Sequence, residues 1–128
     1  MTVEITSFDS NTVTDRLKTG AFEASVGSWT IRPDVDGAVY RHFHSGTAFN
    51  YLGYQNPQVD QLLDKTRSLP PGDERVKTFQ QVQKLIVADA PWIFLVWENQ
   101  AFASSPAVNG LPLIPDALIR PRTAWLSR

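Results

Sequence analysis

The chain contains no cysteine, so disulfide bonds, thiolate metal sites and a cysteine nucleophile are excluded. No apolar run approaches the roughly 20 residues that a membrane-spanning helix needs. The formal net charge is only -1 at pH 7. The strongly basic surface that is typical of nucleic-acid-binding proteins is therefore lacking, and we expect no nucleic-acid partner.

The apolar content is nevertheless high enough for a folded domain. The 128 residues are 42% hydrophobic and 11% aromatic, with 4 Trp and 7 Phe. A single domain of this length buries roughly two-thirds of the surface of its unfolded chain. Disordered segments have lower hydrophobicity and higher net charge. The composition therefore predicts a folded unit with a hydrophobic core.

The first 29 residues predict a strand, a helix and a second strand. Apolar and polar residues alternate over residues 2–8, a pattern typical of a half-buried strand rather than a signal peptide. Ser10 or Asn11 can cap a short helix, which Gly20 ends. Small and apolar residues over 22–29 predict the second strand. Short connections between these elements favour a parallel strand pair with a right-handed crossover.

Two longer helices are predicted in the middle of the chain. Asn56 is a favoured N-cap residue, and Pro57 suits the first helical position because its missing N–H costs nothing there. This helix ends at residues 69–72, and the next helix runs over residues 73–89. Their apolar positions follow the helical spacing of three and four. These positions are Val59, Leu62, Leu63, Thr66, Val76, Phe79, Val82 and Ile86.

The remaining segments are a short helix, a long loop, an apolar run and a tail. We expect a short helix over residues 38–43 and a loop over residues 44–56, and loops of that length are often functional. Residues 91–97 are apolar throughout and predict a strand that is buried on both faces. Residues 107–128 are broken by prolines, with a short strand expected at residues 123–126. This tail is too apolar to remain free, so we expect it to lie on another surface.

Several short motifs follow one another along the chain. The more specific ones are GYQNPQVDQLL at residues 53–63 and ADAPWIFL at residues 88–95. Shorter ones are Asp15-Arg16-Leu17-Lys18, Ser28-Trp29, Arg32-Pro33-Asp34 and Asn109-Gly110. This series resembles the C-terminal region of the peptide/nickel class of bacterial extracellular solute-binding proteins, family 5. The resemblance covers nearly the whole chain.

The resemblance implies a fold in the α/β class, one lobe of the type II periplasmic-binding-protein fold. We expect a small mixed sheet, about four helices and an irregular C-terminal tail. Residues 1–106 would form part of the C-terminal lobe. Residues 107–128 would run back to an N-terminal lobe that this chain lacks. The family is extracytoplasmic, and no export signal is expected in this chain.

The resemblance also implies a function without a chemical step or a cofactor. Proteins of this family trap a small solute, such as a peptide, by closing two lobes around it. They then deliver the solute to the membrane permease of an ABC importer. We therefore expect a binding protein rather than an enzyme, with the permease and the missing lobe as partners. A lone lobe with exposed apolar surface is also expected to self-associate.

Candidate ligand contacts lie after the second predicted strand, since ligands of open α/β sheets bind near the carboxyl ends of strands. Trp29 offers a rigid apolar surface, or else lies in the core, and Thr30 follows it. Members of the family often place an aspartate here against the amine of a peptide. The matching position is Arg32 or Asp34. Arg32 would instead favour a carboxylate or phosphate, unless it simply forms ion pairs within the loop.

Phe49 and Asn50 are the candidate contacts in the long loop. They can supply a stacking and hydrogen-bonding edge of the ligand cleft. The alternative is structural, in which Phe49 and Tyr51 fix the loop onto the domain.

Two further functions remain as alternatives. Asp34, Asp36, His42 and His44 could bind a metal ion in an enzyme, although their spacing matches no common ligand motif. A nucleophilic hydrolase is disfavoured because the GxSxG motif is missing. The chain could also be a stand-alone interaction or regulatory domain that uses its apolar tail for docking.

Overall fold

The computed structural model describes residues 2–29, 34–96, 101–112 and 118–127. Its elements, in chain order, are helix α1 (Ser10–Thr19), helix α2 (Val35–Phe43), helix α3 (Pro57–Ser68), helix α4 (Asp73–Asp89), strand β1 (Val108–Asn109), a 3-10 turn (Pro121–Thr123) and strand β2 (Trp125–Leu126). In these residues the predicted α/β class is confirmed, with four helices, a small antiparallel sheet and an irregular C-terminal tail. In the described part of the chain, no helix combines the length and the hydropathy required to cross a bilayer.

α1, α3 and α4 begin and end close to where the sequence predicts. The predicted start of α2, residue 38, is wrong: α2 begins at Val35, because the Asp34 carboxylate caps the helix there. Asn56 caps α3 by accepting hydrogen bonds from the backbone N–H groups of Gln58 and Val59, at 3.0 and 3.2 Å. Gly20 ends α1 with a left-handed backbone, φ 70°. The cap of α1 is Asp9 rather than Ser10 or Asn11, because the Asp9 carboxylate accepts the first free N–H groups of the helix.

The core lies between α2, α3 and α4. It consists of the buried side chains of Phe43, Val59, Leu63, Val82 and Ile86, with Thr66 and Thr78 buried beside them. Thr66 and Thr78 donate their hydroxyls to the carbonyls of Leu63 and Glu74, so neither buried hydroxyl lacks a partner. The predicted stripe of α3 is confirmed. On α4, the prediction is wrong at Val76, which is exposed.

The strands predicted over residues 2–8, 22–29 and 91–97 do not form in the described residues. The prediction of a parallel pair is therefore wrong, and residue 97 lies outside the description. Nor is the apolar run buried, since Ile93 is 84% and Val96 is 83% exposed. A strand needs hydrogen-bonding neighbours, and no described segment pairs with these three.

The tail instead pairs with itself. β1 and β2 are antiparallel, with Val108 opposite Leu126 and Asn109 opposite Trp125. The strand expected at residues 123–126 is thus confirmed in part, over its last two residues. Gly110 makes this approach possible, because a Cβ atom there would lie 2.6 Å from the carbonyl oxygen of Thr123. Its φ of 68° also favours glycine.

Candidate functional site

Four aromatic side chains from three separate segments meet beside the core. We call Trp29, Phe49, Tyr51 and Trp92 the aromatic wall. The rings of Trp29 and Trp92 are stacked, with an interplanar angle of 17° and centroids 6.4 Å apart. Tyr51 lies 5.8 Å from Trp29 and 6.0 Å from Phe49, measured between centroids. The wall thus joins the extended segment before residue 30, the long loop, and the residues after α4.

The wall is partly open to solvent. Trp29 and Phe49 are each 39% exposed, whereas Trp92 packs against the buried Phe43 with centroids 5.0 Å apart. The half-exposed ring of Trp29 therefore stacks on Trp92, which the core supports. Both sequence interpretations of Trp29, as surface and as core, describe part of this arrangement.

His42 lies behind the wall, at the end of α2. It is 7% exposed, and its ring is 4.7 Å from Trp29 and 5.3 Å from Trp92, between centroids. Its Nδ1 lies 3.4 Å from the carbonyl oxygen of Phe49. Burial lowers the pKa of His42 below its ordinary value of 6.5. The Phe49 carbonyl opposes that shift, and the charge of Arg41 adds to it.

The long loop is held by its own hydrogen bonds. The Asn50 amide donates to the Tyr54 carbonyl at 2.7 Å and accepts from the Tyr54 N–H at 3.0 Å. The Thr47 hydroxyl donates to the Arg41 carbonyl at 2.8 Å, which ties the loop to α2. Phe49 is thereby presented at the wall, while the amide of its neighbour Asn50 bonds to the loop backbone.

The aspartates at the start of α2 have structural partners. Asp34 caps α2, with its carboxylate 3.3 Å from the N–H of Gly37, and lies 3.9 Å from the guanidinium of Arg75. Asp36 accepts two hydrogen bonds from Arg67, at 2.9 and 3.0 Å. Thr30 and Arg32, the other predicted contacts near Trp29, lie outside the described residues. An ion pair of Arg32 with either aspartate thus stays a prediction.

The residues of the metal alternative do not converge. In the described ranges, no group of three or more His, Asp or Glu side chains could hold a metal ion. His42 lies among aromatic rings, and Asp36 is bound by Arg67. His44 stacks on Tyr40 instead, with its Nε2 3.4 Å from Asp64 Oδ1 but without hydrogen-bond geometry.

Sequence reasoning missed two members of the site. The apolar run predicts a buried strand at Trp92, whereas the structure places Trp92 in the wall. No sequence pattern marks Arg41, yet its guanidinium carbon lies 3.8 Å from the centroid of the Phe49 ring. No local pattern identifies either residue, because both roles depend on where the long loop folds back.

No protein-family model matches the chain. It is 34% identical over 105 residues to the glutathione-binding protein GsiB of Pectobacterium atrosepticum, covering 80% of this chain and 20% of that protein. It is 26% identical over 119 residues to the probable D,D-dipeptide-binding periplasmic protein DdpA of Escherichia coli K12, covering 88% and 23%. It is 28% identical over 97 residues to the oligopeptide-binding protein AppA of Bacillus subtilis, covering 73% and 18%.

The chain thus spans about a fifth of the length of the curated relatives that it matches. These similarities extend over most of its residues and confirm the resemblance seen in its motifs: the chain belongs to the family 5 solute-binding proteins.

Proposed function

We propose that this chain forms one side of the ligand cleft of an extracytoplasmic solute-binding protein, and that the aromatic wall contacts the solute. The observation that carries the proposal is the half-exposed Trp29 ring stacked on Trp92. An aromatic ring on rigid support offers a large apolar surface at little cost in side-chain entropy. Ligand sites commonly combine such surfaces with a few polar groups.

The solute in this proposal is peptide-like. The relatives are named for binding glutathione, a D,D-dipeptide and oligopeptides, all of which carry a carboxylate. Arg41 places a positive charge over the Phe49 ring, at the edge of the wall. A guanidinium there complements a carboxylate, which it can bind through two parallel hydrogen bonds. Within the proposal, Thr30, Arg32, Asp34 and Asn50 remain candidate polar contacts.

The proposed mechanism is closure of two lobes around the solute without a chemical step. A second lobe would supply the opposite side of the cleft. The assembled protein would then deliver the solute to the membrane permease of an ABC importer. One side of a cleft should bind weakly, since contacts and pre-organisation from the other side are missing.

The exposed apolar segments support the division of the chain within this proposal. Residues 1–106 would belong to one lobe. Within the full protein, the extended segments 2–8 and 93–96 would pair with neighbouring strands. Ile5 is 87% exposed, which is unusual for an isoleucine in a strand-like pattern. The apolar tail, residues 107–128, would dock on the other lobe.

Fluorine NMR of the fluorotryptophan-labelled chain tests the proposed contact. Glutathione and a D,D-dipeptide are titrated into the millimolar range. We expect a weak, saturable shift of the Trp29 resonance and none at Trp125, which lies in the tail. Any smaller shift that the solute causes in the Trp92 resonance should disappear in Trp29→Ala. Equal shifts at Trp29 and Trp125, or none at either, would refute the proposed contact.

The second candidate function is a stand-alone interaction domain. It is favoured by the exposed run Ile93–Val96, which could bind a partner protein instead of completing a sheet. In that function the chain should be a monomer, with its tail packed within the 128 residues.

A further inference from the structure

His42 contacts each of the three segments that form the aromatic wall. It contacts the rings of both Trp29 and Trp92, with centroid distances of 4.7 and 5.3 Å. Its Nδ1 reaches the carbonyl oxygen of Phe49 at 3.4 Å, and its ring meets the Phe49 ring edge-on at 6.2 Å. A single side chain therefore relates the extended segment, the long loop and the residues after α4 to one another.

The surroundings of His42 favour an uncharged ring. Arg41, its neighbour on α2, carries a positive charge that disfavours a second positive charge on His42. From the long loop, His42 meets the ring of Phe49, and from the other two segments it meets the rings of Trp29 and Trp92. Among the described groups, no carboxylate acts on the ring to offset the cost of a buried charge.

The other histidine has a different setting. His44 has carboxylates beside it, with Asp64 at 3.4 Å and Asp60 at 4.0 Å. The chain contains only these 2 histidines. Substituting the two histidines one at a time therefore separates effects of protonating His42 from effects of protonating His44.

We propose that His42 is the positioning residue of the aromatic wall, and that its uncharged ring, packed against Trp29 and Trp92 and bonded to the Phe49 carbonyl, keeps the wall in its solute-binding arrangement. This inference deepens the proposed function and rests on it. It makes solute capture dependent on pH through a residue that need not touch the solute.

The direction of the pH effect follows from the lowered pKa of His42. The unfolded chain takes up the proton near pH 6.5, before the folded chain does. Stability is therefore complete above that pH and declines as the pH falls toward the folded pKa. If only the uncharged form binds, the Kd of the solute rises about tenfold for each pH unit below that pKa.

The test follows the fluorine resonances of Trp29 and Trp92 between pH 7.5 and 4.5, with and without glutathione. The variants are His42→Phe, which keeps a ring without a titrating nitrogen, and His42→Asn, which keeps a donor for the Phe49 carbonyl. His44→Asn is the matched control. Far-UV circular dichroism checks folding, and His42→Asn carries the test if His42→Phe does not fold.

We expect both wall resonances to titrate together with a midpoint below 6.5 in the wild type and in His44→Asn. Neither His42 variant should show this transition. A transition that persists without His42, or disappears without His44, would overturn the positioning role. If the transition depends on His42 but glutathione moves no resonance, the proposed solute contact fails and the positioning of the wall is still supported.

Discussion

The helical unit α2–α4 and the extended segments around it are built from similarly apolar residues but bury them very differently. Leu63 and Val59, both on α3, are fully buried, whereas Ile5 and Ile93 are more than four-fifths exposed. A helix satisfies its backbone hydrogen bonds internally, so that it needs only one packed face. A strand must find its hydrogen-bonding partners elsewhere. Among the described residues, the extended segments form no strand, and their large apolar side chains stay exposed.

The largest expected difference between the two regions lies in truncated apolar side chains. Leu63→Ala should lower the free energy of unfolding by about 2–5 kcal/mol, because it leaves a cavity in a fully buried site. Ile93→Ala should change it by no more than about 0.5 kcal/mol, since that side chain is exposed. Urea denaturation followed by far-UV circular dichroism measures both. Equal decreases in the free energy of unfolding for the two variants would show that residues 93–96 pack within this chain.

A smaller effect is expected from removing helix caps. Asn56→Ala should cost about 1–2 kcal/mol, since its side chain caps α3 and also donates to Asp89 at 2.7 Å. Asp9→Ala, the matched change, removes the cap of α1, a helix that buries no residue. It should reduce helix content without shifting the main unfolding transition. A shift as large as that of Asn56→Ala would mean that α1 belongs to the cooperative unit.

The smallest effect concerns the contact between the long loop and the end of α4. The Tyr54 hydroxyl donates to Asp89 at 2.6 Å, so Tyr54→Phe should cost about 1 kcal/mol in the same denaturation measurement. Burial, with the bond to Asp89, raises the pKa of Tyr54 to about 12. The same bond, more than that from Asn56, lowers the pKa of Asp89.

Nuclear magnetic resonance titration of the Asp89 carboxylate checks how the bond from Tyr54 affects the pKa of Asp89. In Tyr54→Phe the pKa of Asp89 should rise toward its ordinary value of 3.8. The native bond therefore stabilises the fold above that pH, and its contribution is lost as the pH falls through the folded pKa. An unchanged pKa in the variant would show that the bond does not persist in solution.

The sequence predicted the helices well because their signals are local. Pro57 and Asn56 mark the start of α3, and the bounds of α4 are those expected. The strands were predicted from equally regular patterns, but a pattern such as that of residues 2–8 states only which face should be buried. Whether burial occurs depends on a partner strand, which alternation within the segment does not identify.

The candidate site was predicted only in part, because it too depends on contacts between distant segments. Trp29 and Phe49 were expected at the cleft, and the structure brings both into the aromatic wall. Trp92 joins the wall, and His42 lies behind it, only because α2 and α4 pack against α3, a relation that no short motif encodes. Their contribution to ligand binding remains a prediction.

Light scattering at several concentrations is the most direct test of the central claim, that the extended apolar segments lack the neighbours they are built to meet. The account predicts concentration-dependent association, which Ile93→Lys weakens. Val87→Lys, a matched change at another exposed apolar residue, on α4, should not weaken it. A clean monomer at every concentration would contradict it. That result would mean that these segments and the tail find their partners within the chain, in favour of a stand-alone domain.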